Sequence, residues 1–298
     1  MDNLTIAQLS QFSGIKAHTI RIWEQRYNAF TPERSEGNVR YYSGLQLRRL
    51  LNIVSLLEAD YKISKICKLS DAELEALIKK LYLDEAPDKG EVFISQLITA
   101  GTQFNAEEFS KILAHCFNIY GVLSAYKNIV YPLINRVGLM WTANLLPPAQ
   151  EHFMTNLIRQ KIFASIDLLP SNNYYKETWV LLLPEDEFHE IGLLFAYYLL
   201  KINNVNVVYL GSNVPVNTLN VSLNELNPDN VLMFLVHNNH VSKPQNYLET
   251  INSKKIKGKI FISGLTKMIK QLKLKDDVVW LETFECFEEL LERVGNND

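Results

Sequence analysis

A chain of 298 residues, 47% of them hydrophobic, holds material for two or three domains, each with a core of its own. Its net charge of −3 argues, taken whole, against a nucleic-acid partner, but Met1 to Leu69 holds ten Lys or Arg against six Asp or Glu. That block is +4 and the remainder −7, the asymmetry of a DNA-binding head on an acidic body. Three distant cysteines, Cys67, Cys116 and Cys286, argue against a disulfide framework or a zinc site and fit a reducing cytoplasm. No apolar run approaches the ~20 residues of a membrane span, and no signal-peptide pattern opens the chain. The expectation is a cytoplasmic protein with no membrane partner.

Thr5-Ile6-Ala7-Gln8 is a capping-box pattern that starts a short helix with Ile6, Leu9 and Phe12 on one face. Ser13-Gly14 breaks it, and a second helix runs from about Ala17 to Gln25. Asn28 to Asn38 is rich in turn formers. Ser43 to Gln46 starts a further helix with Leu47, Leu50, Leu51, Val54 and Leu57 inward, and Ser70 to Glu73 another with Leu74, Leu77, Ile78 and Leu81 inward. Leu83 to Gly90 reads as a linker. The pattern is then purely helical, with helices near 91–102, 106–120, 121–142 and 147–167, a four-helix bundle. A second linker, Leu168 to Glu177, precedes a change of period. Short runs rich in β-branched residues, Trp179–Leu183, Val205–Leu210, Val231–Val236, Lys259–Ile262 and Val278–Leu281, alternate with helices. That is a doubly wound parallel sheet of flavodoxin-like size, which binds ligands beyond the carboxyl ends of its strands. The fold class is multidomain, α and α/β, with domains at 1–82, 91–167 and 176–296.

The second helix is the candidate recognition helix. Ile20 and Trp23 pack inward while Thr19, Arg21 and Arg26 face out, and the planar fork of Arg suits phosphate and guanine. The loop after it carries Pro32, Arg34, Gly37, Arg40 and Tyr42, with the arginines spaced to straddle a phosphate backbone. TIRIWEQRY at 19–27, P-x-R at 32–34 and G-N-x-R-x-Y at 37–42 resemble the MerR family of transcription regulators. The resemblance implies a winged helix-turn-helix on a double-stranded operator, through Thr19, Arg21, Arg26, Arg34, Arg40 and Tyr42. Many MerR proteins continue into a long dimerisation helix. Here the helix from Ser70 ends near Tyr82, so self-association falls to the body.

After the first strand stands Glu187-Phe188-His189-Glu190-Ile191-Gly192, an E-x-H-x-x-G run. It is similar to the D-x-H-x-x-G motif of cobalamin-binding domains. The resemblance implies that His189 ligates cobalt from below, that Glu187 holds the other imidazole nitrogen, and that Gly192 lets the corrin approach. In the bundle Trp141 is followed after nine residues by Glu151-His152, which resembles the bundle of CarH- and LitR-type photoreceptor regulators. This implies a cap on the upper face of adenosylcobalamin, with Trp141 against the adenosyl group and Glu151 and His152 bonded to sugar and corrin amides. Two positions depart from the cobalamin-domain pattern. Phe234 stands where related domains have Ser, and Ser263-Gly264 where they have Gly-Gly, so either the nucleotide tail sits differently here or this sheet binds cobalamin weakly or not at all. Gly264 keeps half of the glycine pair.

The leading expectation is a repressor whose dimeric or tetrameric state and DNA affinity are set by adenosylcobalamin and by light. The alternative is a MerR-type regulator whose degenerate, cofactor-free body works through protein contacts. An enzyme is not expected, since the chain has no room for a separate substrate-activating domain and shows no nucleophile–base arrangement.

Overall fold

The computed structural model describes residues 4–13, 15–35, 37–58, 60–83, 90–142, 146–170, 175–236, 242–254 and 256–296. The chain divides into two compact units, Met1–Lys161 and Ile162–Asp298. The first opens with α1 (Ile6–Ser13) and α2 (Ala17–Tyr27), followed by a two-stranded antiparallel ribbon of β1 (Glu33–Arg34) and β2 (Arg40–Tyr41). Then come α3 (Gly44–Glu58), α4 (Ile63–Ile66) and α5 (Asp71–Leu83). Three of these helices start on reciprocal capping boxes. The Thr5 N–H donates to Gln8 Oε1 (2.8 Å), Ser43 N–H to Gln46 Oε1 (2.9 Å) and Ser70 N–H to Glu73 Oε2 (2.8 Å), and each Ser or Thr hydroxyl accepts in return. Hydrogen bonds from the Ser70 N–H and hydroxyl hold the Glu73 carboxyl below its ordinary range.

The bundle follows as α6 (Gly90–Thr102), α7 (Ala106–Ala125), α8 (Tyr131–Thr142) and α9 (Pro148–Asp167). A single π-helical turn, Tyr126–Val130, joins α7 to α8. The sequence breaks this run between residues 120 and 121. There the chain kinks without separating, with Gly121 at φ 72° and ψ 162° inside α7.

Head and bundle share one unit. Leu47, Leu50, Leu51 and Val54 of α3 are buried as the periodicity predicts. So are Asn52, Ile53, Ser55 and Leu56, which the same periodicity leaves outside. The reason is α6, which packs on the second face of α3. Across that seam the Ser95 hydroxyl donates to Asn52 Oδ1 (3.0 Å), and the Ser55 hydroxyl to the Glu91 carbonyl (3.2 Å). Most of the expected linker, residues 84–89, lies outside the described residues.

The second unit is a five-stranded parallel sheet in the order β4-β3-β5-β6-β7. Its strands are β3 (Thr178–Pro184), β4 (Asn206–Val214), β5 (Asn230–Leu235), β6 (Ile260–Gly264) and β7 (Val278–Trp280). Between them run α10 (Ile191–Ile202), α11 (Val216–Leu226), α12 (Ser242–Ser253), α13 (Thr266–Ile269) and, last, α14 (Phe284–Asn296). Within the unit the strand order is 2-1-3-4-5, the flavodoxin arrangement, whose reversal point lies between β3 and β5. One face packs Val180, Leu182, Met233 and Ile262 against Leu219, Leu223, Tyr247 and Leu248. On the other face the Trp179 ring stacks on Phe261 at 4.8 Å. Among the described residues no helix is long and apolar enough to cross a membrane.

Candidate functional site

In the head, Ile20 and Trp23 of α2 are buried, Arg21 and Arg26 are exposed and Thr19 is partly so. Arg34 is exposed on β1 and donates from Nη1 to Asn38 Oδ1 (2.6 Å) near the ribbon tip. These four side chains remain on the surface, where the sequence puts them. Two others do different work. Arg40 turns its Nε to both oxygens of Glu24 (2.9 and 3.2 Å). Tyr42, expected at the DNA, is only 1% exposed and donates its hydroxyl to Glu24 Oε2 (2.9 Å). This corrects its role: Tyr42 is part of the head's interior, and burial followed by the Glu24 bond pushes its hydroxyl above the ordinary range. The Glu24 hydrogen bond likewise raises Arg40.

Glu24 is thus the clamp between α2 and the ribbon of β1 and β2, and sequence reasoning missed it. The available signal was its place four residues after Ile20 and beside Trp23, on the inward face, where a carboxylate needs partners. Arg49 is a second such residue. It donates to the carbonyls of Ala29 (2.9 Å) and Leu69 (2.9 Å) and pairs with Asp71, tying α3 to the turns after α2 and α4.

In the bundle, Trp141 lies on the last turn of α8 and is 47% exposed. Glu151 and His152 lie on the first turn of α9, so the short connection from α8 to α9 puts all three at one end of the bundle. The His152 Nδ1 stands 2.6 Å from Glu151 Oε2, with the His side chain 71% exposed.

In the sheet unit, the loop from β3 to α10 reaches the carboxyl edge at the reversal point. Glu187 is buried and organises it. Its Oε1 accepts the backbone N–H groups of Phe188 (3.0 Å) and His189 (3.1 Å) and lies 2.6 Å from His189 Nδ1. Its Oε2 accepts the N–H of Val236, at the end of β5 (2.9 Å). Asn213, in β4, donates its N–H to the Glu187 carbonyl (3.2 Å), so the loop is fixed to strands on both sides of β3. An ionised carboxylate has no proton to give, so beside one Nδ1 carries the proton, and in the neutral imidazole Nε2 then holds the lone pair. The His189 side chain is 54% exposed. Glu190, also unforeseen, is buried and accepts from the Tyr209 hydroxyl (2.7 Å), bracing the start of α10 against β4.

Gly192 and Gly264 flank this edge. A Cβ on Gly192 would stand 2.8 Å from Phe234 Cε1, and one on Gly264 (φ 135°) would stand 2.0 Å from the Leu235 carbonyl oxygen. Gly264 is therefore needed by the packing of β6 on β5. Among the described residues no group of three or more His, Cys, Asp or Glu could hold a bare metal ion.

Residues 4–73 match the MerR HTH family regulatory protein and residues 88–164, the bundle, match the B12 binding domain. The chain thus carries a MerR-type helix-turn-helix domain followed by a B12-binding domain. It is 26% identical over 224 residues to the HTH-type transcriptional repressor CarH of Myxococcus xanthus, covering 74% of each chain. It is 26% identical over 234 residues to the repressor CarA of the same organism, covering 78% of this chain and 76% of that one. The monomethylamine corrinoid protein of Methanosarcina barkeri shares the fold. It is 14% identical with a TM-score of 0.52, over 67% of this chain and 98% of that chain.

Proposed function

We propose that this chain is a cytoplasmic transcription repressor that binds an operator through its head and holds adenosylcobalamin in its body, with His189 as the cobalt ligand. The observation that carries the cofactor reading is the buried Glu187 carboxylate fixed on His189 Nδ1. It sets the ring's tautomer and orientation and offers Nε2 to a metal, as an outer-shell carboxylate does in histidine–metal sites. The donor end of the site therefore fits a corrin. Gly192, expected to admit the corrin, instead faces Phe234, and this contact favours the second reading, a cofactor-free body working through protein contacts.

Arg21, Arg26 and Thr19 are the candidates for the major groove, and Arg34, with the outer edge of Arg40, for the flanking backbone. Trp141, Glu151 and His152 are the candidates for the adenosyl side. When bound, the cofactor supplies a cobalt–carbon bond that visible light breaks. The protein's part is to hold and orient it, and self-association through the body, as a dimer or tetramer, carries the response.

The test is a visible spectrum of the full chain loaded with adenosylcobalamin in the dark, followed by size exclusion before and after illumination. A histidine-ligated spectrum lost in His189→Ala, with a smaller species after light, is the expected result. A spectrum unchanged in His189→Ala removes His189 from the metal, and no bound corrinoid at all leaves the cofactor-free reading.

A further inference from the structure

Phe234 lies near the carboxyl end of β5, half-buried, with its ring against the Cα of Gly192 at the start of α10. A Cβ on Gly192 would meet Cε1 at 2.8 Å and Cδ1 at 3.2 Å, so the space left by the glycine is filled by this ring. Beside Phe234 in the register stands Ser263 of β6, whose hydroxyl donates to the Leu281 carbonyl (2.9 Å). Beyond it, Gly264 is pressed onto the Leu235 carbonyl. Beside His189, the space over Gly192 is therefore filled by the Phe234 ring, between α10 and the end of β5.

The chemistry of corrinoids makes this packing consequential. The nucleotide loop of a complete cobamide hangs from the same face of the corrin as the lower axial ligand. A protein imidazole on that face must share its side of the ring with the displaced base. In this chain the carboxyl edge of the sheet lies beside His189, and where Phe234 fills the space over Gly192 a second ring finds no room without displacing it.

We infer that Phe234 is a specificity-determining residue that makes this domain prefer corrinoids without a nucleotide loop, the cobinamide class, over complete cobamides. The inference rests on the proposed ligation by His189. Turning the Phe234 ring out would expose apolar surface and empty the site against Gly192. A complete cobamide bears that cost and a loop-free corrinoid does not, which amounts to a preference of roughly tenfold or more.

The experiment compares two corrinoids whose lower face is equally open to histidine. One is cobinamide. The other is a cobamide carrying a phenol as its base, which has the full loop but no nitrogen for cobalt. Each is titrated into the full-length protein in the dark, by visible absorption and equilibrium dialysis. Wild type is expected to bind cobinamide about tenfold or more tighter. Phe234→Ser is expected to gain affinity for the phenolic cobamide and to hold cobinamide within about threefold, closing the gap. Equal affinities in wild type, a measurement that needs no variant, would overturn the inference. So would a gap that survives in a folded Phe234→Ser protein. Failure of the ligation reading looks different: cobinamide then binds unchanged in His189→Ala, or neither corrinoid binds wild type and both readings fall.

Discussion

Replacing Glu24 by Gln tests whether the wing is held by the clamp rather than by DNA. The carboxylate takes two contacts from Arg40, whose side chain is 23% exposed, and one from the buried Tyr42 hydroxyl. A buried hydrogen bond to a charged group contributes about 1.5–3 kcal/mol, whereas a partly exposed ion pair contributes at most about 1 kcal/mol. The amide still accepts from Tyr42, more weakly, but turns one donor toward Arg40, so the head should lose about 2 kcal/mol. Operator affinity should fall by about tenfold as the wing loosens, while the slope of log affinity against log salt falls by less than the full unit expected on removing Arg34, because both wing arginines keep their charge. Pairing Glu24→Gln with Tyr42→Phe should give a coupling of about 1 kcal/mol in a double-mutant cycle. Salt-titrated binding to a labelled operator reads both. A slope that drops by about one, as for a lost phosphate contact, would refute the clamp, and so would additive effects of the two changes.

Arg34→Ala should weaken binding to every sequence and lower the salt slope by about one, whereas Arg21→Ala should relax preference among operator variants; both are read by the same titration. Ser95→Ala strands the buried Asn52 carbonyl oxygen and should destabilise the Met1–Lys161 unit by about 1–2 kcal/mol in urea unfolding, against a negligible loss for the exposed Ser253→Ala. Burial pushes the Cys116 thiol up to about 12, so a thiol probe at neutral pH should label the part-exposed Cys286 and leave Cys116 untouched until the protein unfolds.

The strands could be read from the sequence because burial on both faces makes continuous apolar runs. The five expected runs fall on β3 to β7, with ends differing by a few residues. The capping residues at Thr5, Ser43 and Ser70 were readable because their partners lie three residues away. What could not be read depends on distant chain. The outer side of α3 looked solvated until α6 covered Asn52, Ile53, Ser55 and Leu56. Tyr42 looked like a DNA contact because its partner, Glu24, is 18 residues away on another element. His189 and Glu187 were within reach as near neighbours, but the second oxygen of Glu187 goes to Val236, 49 residues on. The crowding of Gly192 by Phe234 follows from the placing of β5 beside β3, which no local pattern contains.

The seam between α3 and α6 decides how the bundle can act on the head. An apolar seam between helices tolerates small slides, since one methyl group replaces another. The pair Ser95–Asn52 does not, because both side chains are buried and a shift would leave donor and acceptor without water to replace them. A displacement of α6 must therefore carry α3 with it or break that bond at about 1–3 kcal/mol. Moving α3 would pull on the head elements bonded to it. Through Arg49, α3 holds the turn after α2 at the Ala29 carbonyl and the turn after α4 at Leu69. The recognition helix in turn holds the wing through Glu24.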